Sequence, residues 1–180
     1  MGFFLAILLW GISTSNQLVT LDENVNEKWS QVENVYQRRL DLVPNLVNAV
    51  KRYAKHEVQV FESVTHARSQ VGQVQIKNPD DLKKFDQAQS QLTRALSKLL
   101  VVAEKYPGLK ADRNFLELRS HLEGTEHRIS VERMRFNEAA GDYNVYLRKF
   151  PQAMIAGFRG FRERPYFQGD ANAKAEGGER

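Results

Sequence analysis

Four histidines offer the first candidates for chemistry: His56, His66, His121 and His127. Glu62 stands four residues before His66 and Glu123 four before His127, a spacing that sets each acid and imidazole on one helix face. Such pairs suit a divalent metal. A carboxylate-bridged di-metal bundle, however, requires a Glu three residues ahead of a His on two helices, and no histidine here has one. The chain has no cysteine, which excludes disulfides, thiolate metal sites and a cysteine nucleophile. No His-Glu-x-x-His string, phosphate-cradling glycine loop or Gly-x-Ser-x-Gly turn occurs. We therefore expect no catalytic residue, no metal site and no cofactor, and a metal-dependent bundle enzyme is the least favoured reading.

Two polar groups remain. Arg38, Arg39, Asp41 and Asn45 surround Pro44, whose ring removes a backbone donor and crowds the preceding turn. They are expected to form a structural cluster that satisfies the freed carbonyls and pairs with Glu123, Glu126 or Glu132 of a facing helix. The rival is a polar binding site opened by a kink. Near the end, Arg148, Arg159 and Arg162 interleave with Phe150, Phe158, Phe161, Tyr166 and Phe167. That mixture suits an anionic membrane surface or a subunit contact. It also suits single-stranded nucleic acid, a partner that the apolar opening of the chain argues against. The plain alternative is a chain end folded back over the bundle.

That opening is the oddest feature in an otherwise ordinary composition of 42% apolar and 27% charged residues with a net charge of +4. No charged side chain precedes Asp22, and the chain begins MGFFLAILLWGI. We expect Phe3, Phe4, Leu5, Ile7, Leu8, Leu9, Trp10 and Ile12 to enter the membrane. Twelve residues of helix reach only about 18 Å, against a hydrocarbon core of about 30 Å. Extension through the uncharged Ser13 to Leu21 just spans it, with Ser, Thr, Asn and Gln needing partners from neighbouring copies. The rival is a cleaved signal peptide, for which the basic leader is lacking. Asp22, Glu23, Glu27 and Lys28 assign no side of the membrane.

The elements that carry these groups are helices. One apolar stripe runs from Val25 through Trp29, Val32, Tyr36, Leu40, Val43 and Val47 to Val58, Phe61 and Val64, with a step of about 3.5 residues, as in bundles and coiled coils. It keeps its phase across Pro44, which predicts one long element kinked there. A second helix starts at Asn78 to Asp81 and stops at Pro107 and Gly108; a third runs from about Phe115 to Pro151. No strand pattern appears. The expected architecture is all-α: an elongated antiparallel bundle preceded by an N-terminal hydrophobic helix. Its divisions are a membrane segment (1–21), a bundle (22–167) and a polar tail (168–180), disordered unless assembly orders it.

Several strings in this order resemble one family. They are Leu21, Asp22, Glu23, Asn24, Val25 and Trp29; the run from Arg38 to Val47; Tyr106, Pro107, Leu109, Lys110, Asn114 and Phe115; Leu122 to Glu126 with Arg128 and Ile129; and Tyr143, Asn144, Phe150, Pro151, Ile155 to Phe158 and Pro165 to Phe167. Over about Asn16 to Phe167 the chain resembles the LemA family. The resemblance implies a bacterial, membrane-associated protein with one N-terminal hydrophobic segment and a long helical domain, and supplies no activity. The chain departs from the family pattern at Met134 to Phe136 and in its short hydrophobic segment without preceding basic residues.

Together these features predict a non-enzymatic, membrane-anchored scaffold that self-assembles into a homo-oligomer, with itself and the lipid bilayer as partners. An alternative is a peripheral adaptor that binds another membrane protein through the C-terminal segment.

Overall fold

A computed structural model of the protein describes residues 2–74 and 79–168, without the side chains of residues 2–4, 7, 8, 79 and 80. Six helices make up the described chain: α1 (Gly2–Tyr53), α2 (Val58–Gln73), α3 (Pro79–Glu104), the single turn α4 (Pro107–Lys110), α5 (Arg113–Arg148) and α6 (Gln152–Arg159). Among the described residues there is no strand. At 1.5 Å per residue α1 alone extends about 78 Å. The order of cross-links fixes the directions. Trp29 meets Phe136, Arg39 meets Glu126 and Tyr53 meets Asp112, so α5 runs antiparallel to α1. Arg68 reaches back to Leu40, so α2 also reverses against α1, and α3 returns beside it with Phe85 on Trp29 and Thr93 on Arg39. Long helices with opposed apolar faces have no other compact way to exclude water.

One expectation needs correction. The stripe from Val25 to Val64 belongs to two antiparallel helices, because the chain turns at Ala54 to Glu57. No glycine or proline marks that turn. Buried Ala54 carries the α1 stripe to its end, and Phe61 and Val64 open that of α2, so both bury the same period against one core. Pro44 lies inside α1 with its ring toward solvent. The Leu40 carbonyl, four residues earlier, loses its helical donor. Arg68 Nε of α2 replaces it at 3.1 Å.

The apolar opening likewise forms no separate helix. It continues into α1, since nothing between Ile12 and Asp22 caps or breaks a helix. Thr14 and Leu18 are buried, so the bundle reaches into the stretch expected to lie in lipid. Among the described residues no helix is long and apolar enough to cross a membrane. Residues 169–180, where the disordered tail is expected, lie outside the described residues.

At the opposite end, Asp112 caps α5. Its Oδ1 accepts from Phe115 N–H at 3.0 Å and its Oδ2 from the Tyr53 hydroxyl at 2.9 Å, tying α5 to the end of α1. The Phe115 amide first, then Tyr53, holds the Asp112 carboxyl below its ordinary range. A depressed folded-state pKa contributes stability above the unfolded value, about 3.9, and that contribution is lost as pH falls through the folded value. Asp112→Ala is therefore expected to lower the melting temperature by a few degrees at neutral pH. The gap from the parent chain should narrow progressively in melts recorded at pH values falling from about 4; a gap that stays constant as the pH falls would mean that packing, and no ionised cap, accounts for it.

Candidate functional site

Three constellations can be followed from the residues upward. The histidines disperse: His56 sits in the α1–α2 turn, His66 on α2, and His121 and His127 on α5, all exposed. Among the described residues no group of three His, Asp or Glu side chains is placed to hold a metal ion.

The polar cluster near Pro44 divides. Arg38, Asp41 and Asn45 face solvent, with Asp41 accepting from Gln37, while Glu123 pairs with Arg119 of its own helix. Arg39 turns inward and is only 2% exposed. Its Nη2 lies 2.6 Å from Glu126 Oε1 and donates to Thr93 Oγ1 at 2.8 Å. The Thr93 hydroxyl in turn donates a hydrogen bond to the Gln89 carbonyl. One guanidinium thus links α1, α3 and α5. Burial lowers the Arg39 pKa, and Glu126 opposes that shift. Two turns toward the apolar end, Arg133 pairs with Asp86 at 3.1 Å beside Tyr36, whose hydroxyl burial pushes up to about 12. These are ties between helices at defined heights, a geometry that sets register.

The third constellation is the C-terminal segment, which the structure splits into two faces. After α5 the chain forms α6, then Gly160 at φ +76°, in the left-handed region suited to glycine. It returns over α1 and α5 as an extended segment, residues 161–168, here termed the clasp. Asn144 Nδ2 donates to the Arg164 carbonyl and Asn144 Oδ1 accepts Arg164 N–H, both at 2.8 Å. Asn137 treats Phe167 in the same way, at 3.0 and 2.8 Å. The match is geometric. Seven helical residues rise about 10.5 Å, and three extended residues span about 10 Å, so two asparagines two turns apart read the backbone of residues 164 and 167.

Side chains complete the clasp. Arg164 reaches Asp22 Oδ1 at 2.7 Å and Asn26 Oδ1 at 3.0 Å. Phe167 is buried, stacked on Trp29 with centroids 6.0 Å apart and edge-on to Phe136 at 5.5 Å, with the Arg133 guanidinium 4.6 Å from its ring. Phe161 is partly buried against the core, Tyr166 is half exposed, and Arg148 faces Glu163 at 3.7 Å. Pro165 supplies a fixed extended φ at a position where no N–H is used. The sequence reading names Asp22 and Asn144 among the family strings but assigns neither to a site, and does not name Asn26 or Asn137. The signal available was two poor helix formers seven residues apart on a buried helix face.

The other face is apolar and open. Phe158 and Met154 of α6 are 93% and 68% exposed, and Phe150, ahead of α6, is 83% exposed. Ile155 of α6 packs against Gly11 of α1, and Gly11, Ile12, Ser15 and Asn16 form a shallow groove with Met154, Ile155, Phe158 and Arg159. Leu5, Leu9, Trp10 and Ile12 continue the exposed apolar surface along α1; the side chains of Phe3, Phe4, Ile7 and Leu8 lie outside the described residues. Arg148, Lys149, Arg159 and Arg162 are exposed, and Arg159 lines the groove. A patch of this kind marks a contact surface.

Known proteins provide the remaining context. The chain is 27% identical over 186 residues to the magnetosome proteins MamQ 1 and MamQ 2 of Paramagnetospirillum magneticum, an alignment covering 92% of this chain and 67% of theirs. It is 27% identical over 173 residues to magnetosome protein MamQ of Magnetospirillum gryphiswaldense, covering 84% of this chain and 64% of that one. The family model that matches residues 28–177 spans α1 from just ahead of Trp29, the whole bundle and the clasp, and by that match the chain belongs to the LemA family.

Proposed function

We propose that the protein is a membrane-associated helical scaffold without catalytic activity, docked end-on to the bilayer and self-associating there. The observation that carries this reading is the apolar end of the bundle, where the first turns of α1 lie against α6 with Leu5, Leu9, Trp10, Ile12, Met154 and Phe158 all uncovered. Apolar area removed from water stabilises by about 25 cal/mol per Å², and each arginine or lysine near an anionic headgroup layer adds about 1 kcal/mol. Shallow insertion of this end fits the length of the apolar stretch better than a full crossing. Scaffolding rather than catalysis is supported by the use of buried polar side chains as ties between helices.

Co-sedimentation of the full chain with vesicles tests the reading. Binding should be strong to phosphatidylglycerol-containing vesicles, weaker to pure phosphatidylcholine, and reduced by salt. Met154→Asp with Phe158→Asp should lower it about tenfold or more, since two apolar anchors become charges. Vesicle binding unchanged by that pair would refute end-on docking. If vesicles are ignored while the exposed Phe150 and Phe158 retain a membrane protein, the adaptor alternative takes its place.

A further inference from the structure

The clasp is held in an unusual manner: every group that recognises it belongs to the groove wall, and the groove reads backbone as well as side chains. Asn144 and Asn137 pair with the backbone of Arg164 and Phe167, Asp22 and Asn26 take the guanidinium, and the ring enters the box of Trp29 and Phe136. Arg133 closes the far end by donating to the Gln168 carbonyl at 2.9 Å. This is peptide recognition in its usual form, with main-chain hydrogen bonds for affinity and pockets for alternate side chains. The occupant happens to be the chain's own end.

The connection to that occupant is thin. Between the end of α5 and Arg164, Ala156 is the one fully buried residue. Gly160 stands in open space, with no atom within 4 Å of where a Cβ would lie. Rotation at Gly160 would release residues 161–168, with Phe161 leaving the core, while Ala156 and Ile155 keep α6 in place.

We propose that the groove between α1 and α5 is an acceptor for an extended Arg-Pro-Tyr-Phe segment, and that copies of this protein assemble by exchanging residues 163–168. The inference rests on the self-association proposed above and names its mechanism. A second copy is the fitting occupant because it carries the same six residues in the same spacing, so closed and exchanged forms make identical contacts. The balance between them is then set by concentration. A tethered segment competes at an effective concentration of about millimolar. Dilute protein should remain closed, and protein crowded on a membrane surface should exchange. Head-to-tail exchange that does not close on itself extends into a filament.

The absence of cysteine from the natural chain makes the test clean. Gly141 of α5 faces Tyr166, with a Cβ there 4.0 Å from the Tyr166 ring, and Tyr166 is neither of the two anchors. One full-length chain carries Gly141→Cys and another Tyr166→Cys; they are mixed on phosphatidylglycerol vesicles and bridged with a short bismaleimide, while the mass of the assembly is measured in parallel. Exchange predicts a mixed dimer whose yield rises with surface density. Asn137→Ala with Asn144→Ala in both chains weakens the closed and exchanged contacts alike, so the segment should undock in both forms and the mixed yield fall about tenfold or more, the loss expected when two or more hydrogen bonds go. Excess synthetic peptide covering residues 160–168 should compete it away without any substitution, which guards against a variant that misfolds. If the chains associate without a mixed bridge, while a control chain carrying both Gly141→Cys and Tyr166→Cys bridges within itself, self-association stands and exchange is overturned. If neither association nor mixed bridging occurs, both readings fail. Mixed bridging that ignores both the asparagine substitutions and the peptide comes from collision and also overturns the proposal.

Discussion

Phe167→Ala is expected to lower stability by about 3 to 5 kcal/mol, or about 10 °C in melting temperature for a chain of this size. The residue lies far from the centre of the sequence, yet its ring is 4% exposed and closes an aromatic cluster in which Trp29 also meets Phe85 and Phe136 at 5.8 and 5.6 Å. Removing it opens a cavity against two rings, those of Trp29 and Phe136, and withdraws the Arg133 guanidinium's aromatic face. The clasp is terminal and can undock, so the loss has a ceiling equal to its docking free energy. A chain ending at Gly160 measures that ceiling. We expect the two variants to melt within a few degrees of one another, because the hydrogen bonds of Asn137 and Asn144 require the backbone that Phe167 holds down. Trp29 emission should shift to the red in both. A melting temperature unchanged by Phe167→Ala would mean that the aromatic box closes without it.

Arg39→Ala is expected to cost about 3 kcal/mol, the lower part of the range for breaking a buried pair. The lower part applies because the pair is lopsided: the Arg39 side chain is 2% exposed and that of Glu126 42%, so the abandoned carboxylate can hydrate. Arg39→Met separates the two components of that loss. Methionine fills most of the volume and removes an Nε that has no hydrogen-bond partner, so it should fall within about 1 kcal/mol of the parent, on either side. Chemical denaturation of the three proteins decides the matter. If methionine costs as much as alanine, the charge itself supports the fold. If it costs little, what Arg39 contributes is register, and hydrogen exchange should show α3 less protected in the methionine variant despite its stability.

The division between legible and hidden follows from what each feature depends on. Helix α5 and the start of α3 were readable because periodicity, Asn78 with Pro79, and Pro107 with Gly108 are local signals. The reversal at Ala54 was hidden, since a polar four-residue turn between two stripes of equal period leaves no break in the pattern. Pro44 was visible as a disturbance, but its remedy was not: the donor for Leu40 comes from Arg68, 28 residues away. The Arg38 to Asn45 cluster could be named from its charges, yet which member turns inward depends on helix rotation, and Arg39 alone does.

The C-terminal segment shows the same limit most sharply. Composition marked it as basic and aromatic, and could not tell Phe167, buried, from Phe158, which lies open nine residues earlier, on the other side of Gly160. By itself, then, the sequence determined what short-range physics controls: helical class, the main helix boundaries and an uncharged apolar opening. Tertiary structure alone decided what long-range pairing controls, namely the direction of α2, the register set by Arg39 and the groove of Asp22, Asn26, Asn137 and Asn144. Those four residues are separated by up to 122 positions and acquire a common purpose only when α1 and α5 lie antiparallel at one register. Backbone recognition leaves no mark in the identity of the residue recognised, which is why the clasp is written in the fold and almost nowhere in the string of letters.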